Sequence, residues 1–111
     1  MGSLNRERIF SPQNPTCTVV AVGLASSEIL AAPATGFTRR LLIMQNTSPD
    51  TTRNIACNFG ASAVLASAIL MFPQNAGLVL EGDSVPQNGL NAIADGTDAN
   101  IGLTYIDEVT K

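Results

Sequence analysis

The sequence contains no histidine and no tryptophan, and it has one tyrosine and a single lysine, Lys111. Without histidine, the chain cannot form a Ser-His-Asp triad, a Cys-His dyad or a Cys₂His₂ zinc site. Because the only lysine is the last residue, a buried Schiff-base lysine and a P-loop lysine are excluded as well. An enzyme built on this sequence would depend on carboxylates, arginines, Tyr105 and two cysteines.

Charge is also scarce, at 14% of the residues against a usual ~25%. The net charge is −3, and the five arginines are scattered, so no basic stripe follows a phosphate backbone and nucleic acid is not an expected partner. A weakly charged surface is unusual for a free monomer, because solubility depends largely on surface charge. We therefore expect other subunits to cover part of the surface.

The 111 residues, 45% of them hydrophobic, are enough for one globular domain. No basic segment followed by an apolar run opens the sequence, and no apolar run reaches ~18 residues, so neither a signal peptide nor a membrane span is predicted. Cys17 and Cys57 lack C-x-x-C spacing. Free cysteines are among the most buried residues, so we predict two buried thiols.

Residues 1–15 differ from the rest, since they hold two prolines, three charged residues and one short apolar cluster, Ile9 and Phe10. This composition predicts an extended N-terminal arm, followed by a β-sandwich domain over residues 16–111. A frayed terminus is the alternative. The adjacent Ile9 and Phe10 favour docking of the arm on the parent domain or on a neighbour.

From Thr16 onward, short β-type segments alternate with turn residues, and no segment keeps a helical apolar period for ten residues. Asn54–Phe59 places Ile55, Cys57 and Phe59 on one face, which is typical of a half-buried strand. Over residues 61–72 a short helix is the alternative to a loop followed by a strand. The predicted strands are Thr16–Val22, Ser27–Ala31, Arg40–Asn46, Asn54–Phe59, Ala68–Phe72, Leu78–Glu81, Leu90–Ala94 and Asn100–Ile106.

This spacing of seven or eight short strands predicts an all-β fold, an antiparallel two-sheet β-sandwich or small jelly roll. The turn residues 95–98 (Asp-Gly-Thr-Asp) predict a hairpin between the last two strands. Outward positions rich in Thr, Asn and Ala predict flat, neutral outer sheet faces that can pack against copies of the chain.

Two pairs of acidic residues could bind Ca²⁺ or act on a glycosidic bond: Glu81 with Asp83, and Asp95 with Asp98. Their spacing departs from that of an EF-hand, and Asp and Gly are expected in tight turns for backbone reasons alone. Cys57 would lack a histidine base. We therefore predict no catalytic residue, no metal site and no cofactor, and a protein that is not an enzyme.

Arg39 and Arg40 begin the most apolar segment. One interpretation is a solvated strand end that protects a sheet edge. The other is a bidentate salt bridge to the carboxylate of a neighbouring subunit, which arginine forms better than lysine. On the second interpretation both residues join Ile9 and Phe10 as predicted assembly residues.

About two-thirds of the chain resembles small virion proteins encoded in the structural gene clusters of tailed bacteriophages. The segments that carry this resemblance are residues 39–48 (RRLLIMQNTS), 55–60 (IACNFG), 78–81 (LVLE), 85–86 (VP), 92–94 (AIA) and 105–108 (YIDE).

The resemblance implies a capsid cement (decoration) protein, a small sandwich on the outside of the phage head. Such a protein commonly forms a homotrimer and clamps adjacent major capsid proteins. It would be made in the host bacterial cytoplasm and would reach over a neighbour with its N-terminal arm. The alternative is a tail or head-fibre component that binds a receptor or carbohydrate through the loops Asp83–Asn91 and Asp95–Asn100.

Overall fold

The computed structural model describes residues 15–67 and 70–110. The predicted arm, with Ile9 and Phe10, lies outside the described residues apart from Pro15. Two 3₁₀ turns, Leu65–Ser67 and Gly82–Ser84, accompany the strands. The eight strands are β1 (Thr16–Val22), β2 (Ser27–Leu30), β3 (Phe37–Asn46), β4 (Asn54–Phe59), β5 (Leu70–Pro73), β6 (Gly77–Glu81), β7 (Leu90–Ala94) and β8 (Ala99–Val109).

The strands form two antiparallel four-stranded sheets. The first sheet has the order β1-β8-β3-β6 and the second sheet has the order β2-β7-β4-β5. Eight strands divided between two sheets in this order make a jelly roll. The prediction of an all-β, two-sheet sandwich is confirmed.

The last two strands do not form the predicted hairpin. β7 pairs with β2 and β4 in the second sheet, whereas β8 pairs with β1 and β3 in the first. The turn at residues 95–98 therefore carries the chain from one sheet to the other. Turn residues specify that the chain reverses, and they leave open which sheet the next strand joins.

The core lies between the sheets and is built from alternate residues of each strand. In β3, Leu42 and Met44 are fully buried, and in β8, Ile101 and Leu103 are buried with them. Ile55 and Leu90 close the core from the second sheet. Because the inward residues repeat every second position, the outward residues of every strand share the opposite face.

Part of the outer face of the second sheet is covered by the chain itself. The Asn91 side chain donates to the Ala61 carbonyl at 2.8 Å, and the Ser26 hydroxyl accepts from the Ala63 amide at 2.9 Å. These bonds hold residues 61–63 against the sheet, where Ala63 is 2% exposed. Ala56, which we expected on a solvent-facing side of a half-buried strand, is fully buried.

Five predicted strands, β2, β3, β5, β6 and β8, have different bounds in the structure. β3 begins three residues earlier than predicted, and β8 extends three residues further. The segment before β5 is a loop with one 3₁₀ turn, so the interpretation as a loop followed by a strand describes it better than the short helix. No helix among the described residues has the length and apolar composition needed to cross a membrane.

Candidate assembly surface

The outer face of the first sheet is open to solvent. Register pairs bring its side chains together: Thr104 of β8 lies opposite Cys17 of β1 and Ile43 of β3, and Ile43 lies opposite Val79 of β6. We call this surface the open sheet face. Its residues are Cys17, Val19, Ala21, Leu41, Ile43, Gln45, Val79, Asn100, Gly102, Thr104 and Ile106.

The open sheet face is mostly neutral and partly apolar. Its residues named above include no Asp, Glu, Lys or Arg, but Glu81 lies opposite Leu41 in register and places one carboxylate at the end of this face. Val19 and Val79 are 65% and 53% exposed. Contiguous apolar surface of this kind marks interaction sites, whereas single exposed apolar residues are ordinary. The first sheet therefore presents a face that is neutral except at the Glu81 end, while residues 61–63 cover part of the second sheet.

A hollow of ≈ 390 Å³ lies in the middle of this face. It forms because Gly102 of β8 has no side chain to fill the space between Val19 and Gln45, its neighbours in register. A Cβ atom placed on Gly102 would come no closer than 3.4 Å to any other residue, the nearest being Thr47. The lining residues are Cys17, Thr18, Val19, Ile43, Gln45, Gly102, Leu103 and Thr104.

Charged residues gather at one end of the first sheet. The Arg40 guanidinium lies 3.1 Å from the Asp83 carboxylate and 3.7 Å from that of Glu108. All three side chains are about half exposed or more. Arg40 is therefore solvated, as one of the two interpretations held, but it lies within β3 at the shift in register between Arg39 and Leu41 and not at the strand end. Its role at an interface stays a prediction.

Arg39 differs from both interpretations, because it is buried and paired within its own chain. Its Nε donates to the Asp107 carboxylate at 2.8 Å and its Nη2 donates to the other oxygen at 3.1 Å. The guanidinium also lies over the Tyr105 ring, 4.8 Å from the centroid. With 2% of the residue exposed, Arg39 is not a solvated strand end, and its bidentate partner belongs to the same chain.

The two cysteines have different environments. Cys57 is buried, as predicted, and burial raises the pKa of its thiol to about 12 because the thiolate is poorly solvated there. Cys17 is exposed, so the prediction of a buried thiol is wrong for it. Alternation along β1 shows that Cys17, Val19 and Ala21 share a face, and only the pairing with β8 shows that this face is outward.

Asp95 and Asp98 serve the structure of their turn. The Asp95 carboxylate accepts from the Asn54 amide at 3.0 Å and the Asn54 side chain at 2.8 Å, and Arg53 lies 3.3 Å away. These bonds, more than the charge of Arg53, lower the pKa of Asp95. Asp98 adopts left-handed backbone, φ 60°, which Asp tolerates in turns.

The two acidic pairs lie apart from each other. Within the ranges 15–67 and 70–110, no three His, Cys, Asp or Glu side chains come close enough together to hold an ion. The Asp83 and Asp95 loops lie at opposite ends of β7, since one precedes that strand and the other follows it. The two loops proposed for receptor binding therefore do not form one surface.

A buried polar network at residues 46–48 was not predicted as part of the core. The Asn46 side chain donates to the Phe72 carbonyl at 2.8 Å and the Arg53 carbonyl at 3.0 Å. Its oxygen accepts from the Ser48 amide at 3.0 Å and the Ser48 hydroxyl at 2.6 Å. The available signal was Asn-x-Ser at the end of the most apolar strand, where polar side chains can bond loop backbone.

Comparisons with known proteins show the fold. No protein-family model matches the sequence, and no curated protein sequence matches it. Among solved structures, a subunit of Bacillus endospore appendages, described as disulfide-linked pili, aligns at 12% identity with a TM-score of 0.51, over 90% of this chain and 88% of that one.

Two further structures align less well. A cupin protein from Bacteroides fragilis has 12% identity and a TM-score of 0.42, over 92% of this chain and 70% of that one. The Tobacco streak virus coat protein has 11% identity and a TM-score of 0.42, over 91% of this chain and 90% of that one. At such low identity, a similarity extends to architecture only.

Proposed function

We propose that the protein is a structural subunit that packs against copies of itself through the open sheet face, and that it is not an enzyme. The observation that carries this proposal is the contrast between the two sheets. Part of the second sheet is covered by residues 61–63, whereas the first presents a surface that is neutral apart from Glu81 at one end, and on which Val19 and Val79 are more than half exposed. Such a surface promotes aggregation of a monomer, and it stabilises an assembly when a neighbour covers it.

We propose further that this subunit is a capsid cement protein on the outer surface of a bacteriophage virion. In this role a homotrimer bridges adjacent major capsid proteins, and many individually weak contacts act together. The resemblance to tailed-phage virion proteins and the acidic charge of the chain support the assignment. The jelly roll of the similar Bacillus pilus subunit supports the more general role as a building block.

The alternative of a receptor-binding tip on a virion fibre has less support. It requires the Asp83 and Asp95 loops to present one binding surface, and these loops lie at opposite ends of β7. Most of the hydrogen-bonding capacity of Asp95 is also used within the chain. Imaging of intact particles separates the two roles, since a cement protein lies on the head and a fibre tip lies away from it.

A pair of matched variants tests the assembly surface. Val79→Asp places a carboxylate on the open sheet face, and Val64→Asp places one on the 60–67 loop, where Val64 has a similar exposure of 49%. We expect light scattering at micromolar concentration to give a trimer for the wild type and for Val64→Asp. The dissociation constant of the Val79→Asp assembly should be at least about tenfold higher, because assembly would bury an unpaired charge.

The same proteins test the cement role on expanded, undecorated heads of the phage that encodes the sequence. Wild type and Val64→Asp should bind the heads and raise the temperature at which they rupture, and Val79→Asp should do so weakly. A wild-type protein that stays monomeric, and neither binds nor stabilises the heads, would show that the proposed function is wrong.

A further inference from the structure

We propose that the hollow at Gly102 receives Ile9 and Phe10 from the N-terminal arm of a neighbouring copy. This inference rests on the proposed assembly through the open sheet face, and it identifies the segment that fills the centre of that face. The occupant follows from the chemistry of the hollow, from the sequence and length of the arm, and from the distribution of charge.

The hollow is suited to apolar side chains. Its volume of ≈ 390 Å³ is far above the ≈ 30 Å³ share of one water and lies at the small end of pockets that hold ligands, about 300–1,000 Å³. Val19 and Ile43 supply apolar walls, and the lining residues carry no formal charge at neutral pH. Two adjacent bulky residues such as Ile9 and Phe10 are the largest apolar cluster of residues 1–14.

The sequence before β1 favours an extended arm over one that folds back on its own strand. β1 begins directly after Pro15, and Cys17 and Val19 of the hollow lie further along the strand. Pro12 and Pro15 favour extended backbone in the residues that precede them. At about 3.3 Å per extended residue, the segment between Phe10 and Thr16 has a reach of about 20 Å, which is long enough to contact a neighbouring copy.

Charge favours an acidic domain of this kind as the recipient over a basic partner. Residues 1–14 contain two arginines and one glutamate, so the remaining residues carry four basic and eight acidic side chains. The arm is therefore weakly basic and the domain is acidic, with formal charges of +1 and −4. A basic arm is attracted to an acidic neighbour, and this steers its approach before apolar contacts form.

An arm that binds the hollow of the next copy makes a heterologous contact, because the two copies contribute different surfaces. Contacts of this type close into rings when the rotation between copies allows it. Three copies in such a ring give the proposed trimer, in which each subunit both donates an arm and receives one. Each open sheet face is then covered at its centre.

Cross-linking of the full chain tests the inference with a cysteine that is already present. Cys17 lines the hollow and is exposed, whereas Cys57 is buried and does not react. In Phe10→Cys, mild oxidation should join position 10 to Cys17 of another copy, giving covalent dimers and trimers on a non-reducing gel. Peptide mass spectrometry should identify this disulfide, and Phe10→Cys with Cys17→Ser should lose it.

A second variant fills the hollow. Gly102→Val should fold normally, because a Cβ at this position meets nothing closer than 3.4 Å and valine favours strands. When it is combined with Phe10→Cys, we expect at least tenfold less cross-linked product at the same protein concentration. Its thermal unfolding measured alone serves as the control for folding.

Three outcomes would overturn the inference. The first is a disulfide that joins position 10 to Cys17 of the same chain, the second is no cross-link, and the third is a yield that Gly102→Val leaves unchanged. Light scattering on the same samples separates this failure from that of the proposed function. A trimer without cross-links would refute only the binding of the arm in the hollow. A monomer under all conditions would refute the proposed assembly as well.

Discussion

Arg39 and Asp107 form a bidentate ion pair between β3 and β8, with N–O distances of 2.8 and 3.1 Å. The pair lies at a β-bulge between Arg39 and Leu41, where the register of β3 against β8 shifts. The Gln87 side chain bonds both backbone groups of Arg39, accepting from its amide at 2.7 Å and donating to its carbonyl at 2.8 Å. These bonds hold β3 and β8 together at the end of the first sheet where Arg39 lies.

Replacement of Arg39 by alanine should destabilise the protein strongly. It removes a buried guanidinium, its contact with Tyr105 and both bonds to Asp107, and it leaves the carboxylate unpaired. Because Asp107 keeps 23% of its side chain exposed, we expect the free energy of unfolding to fall by about 2–3 kcal/mol, which is less than for a fully buried pair. Thermal unfolding should occur about 10 °C lower.

The matched control for that change is Arg40→Ala, which removes a guanidinium that is 47% exposed. Exposed ion pairs contribute little, so its unfolding free energy should fall by less than about 1 kcal/mol. Equal effects of the two substitutions would show that the buried pair does not stabilise the junction between β3 and β8.

Asn46→Ala should also be costly, although asparagine is a small polar residue. The substitution removes the donor to two backbone carbonyls and the acceptor for Ser48, all inside the protein. Unsatisfied buried groups cost ≈ 1–3 kcal/mol each, and partial rearrangement makes a total of about 2–4 kcal/mol the expected loss. Denaturant unfolding of Asn46→Ala and of Asn88→Ala, at an exposed site, provides the comparison.

Asn46→Asp distinguishes hydrogen bonding from shape at this position. The carboxylate has nearly the same size, but it cannot donate to the Phe72 and Arg53 carbonyls. It should therefore be at least as destabilising as alanine at neutral pH. A variant as stable as the wild type would contradict the assignment of the side-chain nitrogen to those two carbonyls.

Stability should be lost in acid and should change little between pH 5 and pH 7. Hydrogen bonds from Thr52 lower the pKa of Asp50, and those from Asn54 lower the pKa of Asp95, both below the usual 3.8. A carboxyl whose pKa is lower when folded stabilises the protein above its unfolded pKa, and this stabilisation is lost as the pH falls through the folded pKa. The chain has no histidine to titrate near pH 6.

The variant that tests this pH dependence is Asp95→Asn, measured by denaturant unfolding from pH 2 to pH 7. Its unfolding free energy should depend less on pH below about pH 4 than that of the wild type. Asp98→Asn is the control, because asparagine also tolerates left-handed backbone and Asp98 is exposed. Identical acid dependence in all three proteins would contradict the role given to Asp95.

Thiol labelling should separate the two cysteines. In native protein diluted to the monomer, one thiol per chain should react promptly, and it should be Cys17. Cys57 should react only on unfolding, because it is buried and its pKa of about 12 leaves little thiolate at neutral pH. Prompt modification of both thiols in the native protein would contradict the burial of β4.

Local patterns in the sequence were sufficient for many of the strands. The bounds of β1, β4 and β7 match the prediction, because β-branched or alternating segments there are closed by turn residues on both sides. The two-sheet class follows from the number and spacing of such segments. These features depend on residues that are close in sequence.

Features that depend on distant residues were not predictable in the same way. Burial of Arg39 depends on Asp107, 68 residues later, and the Ala63 amide bonds Ser26, 37 residues earlier. The chain passes from the second sheet to the first between β7 and β8, and this passage depends on how the earlier strands are divided between the two sheets. For the same reason, the sequence predicted neutral sheet faces without showing which one is open.

The accessibility of Cys17 in the assembled protein tests most directly whether the open sheet face is the contact between copies. Labelling rates are compared between dilute monomer and assembly, with Val64→Cys as a reporter on the covered side of the sandwich. We expect Cys17 to react at least about tenfold more slowly in the assembly. The reporter at position 64 should keep its rate. Protection of position 64 with unchanged labelling of Cys17 would contradict the account.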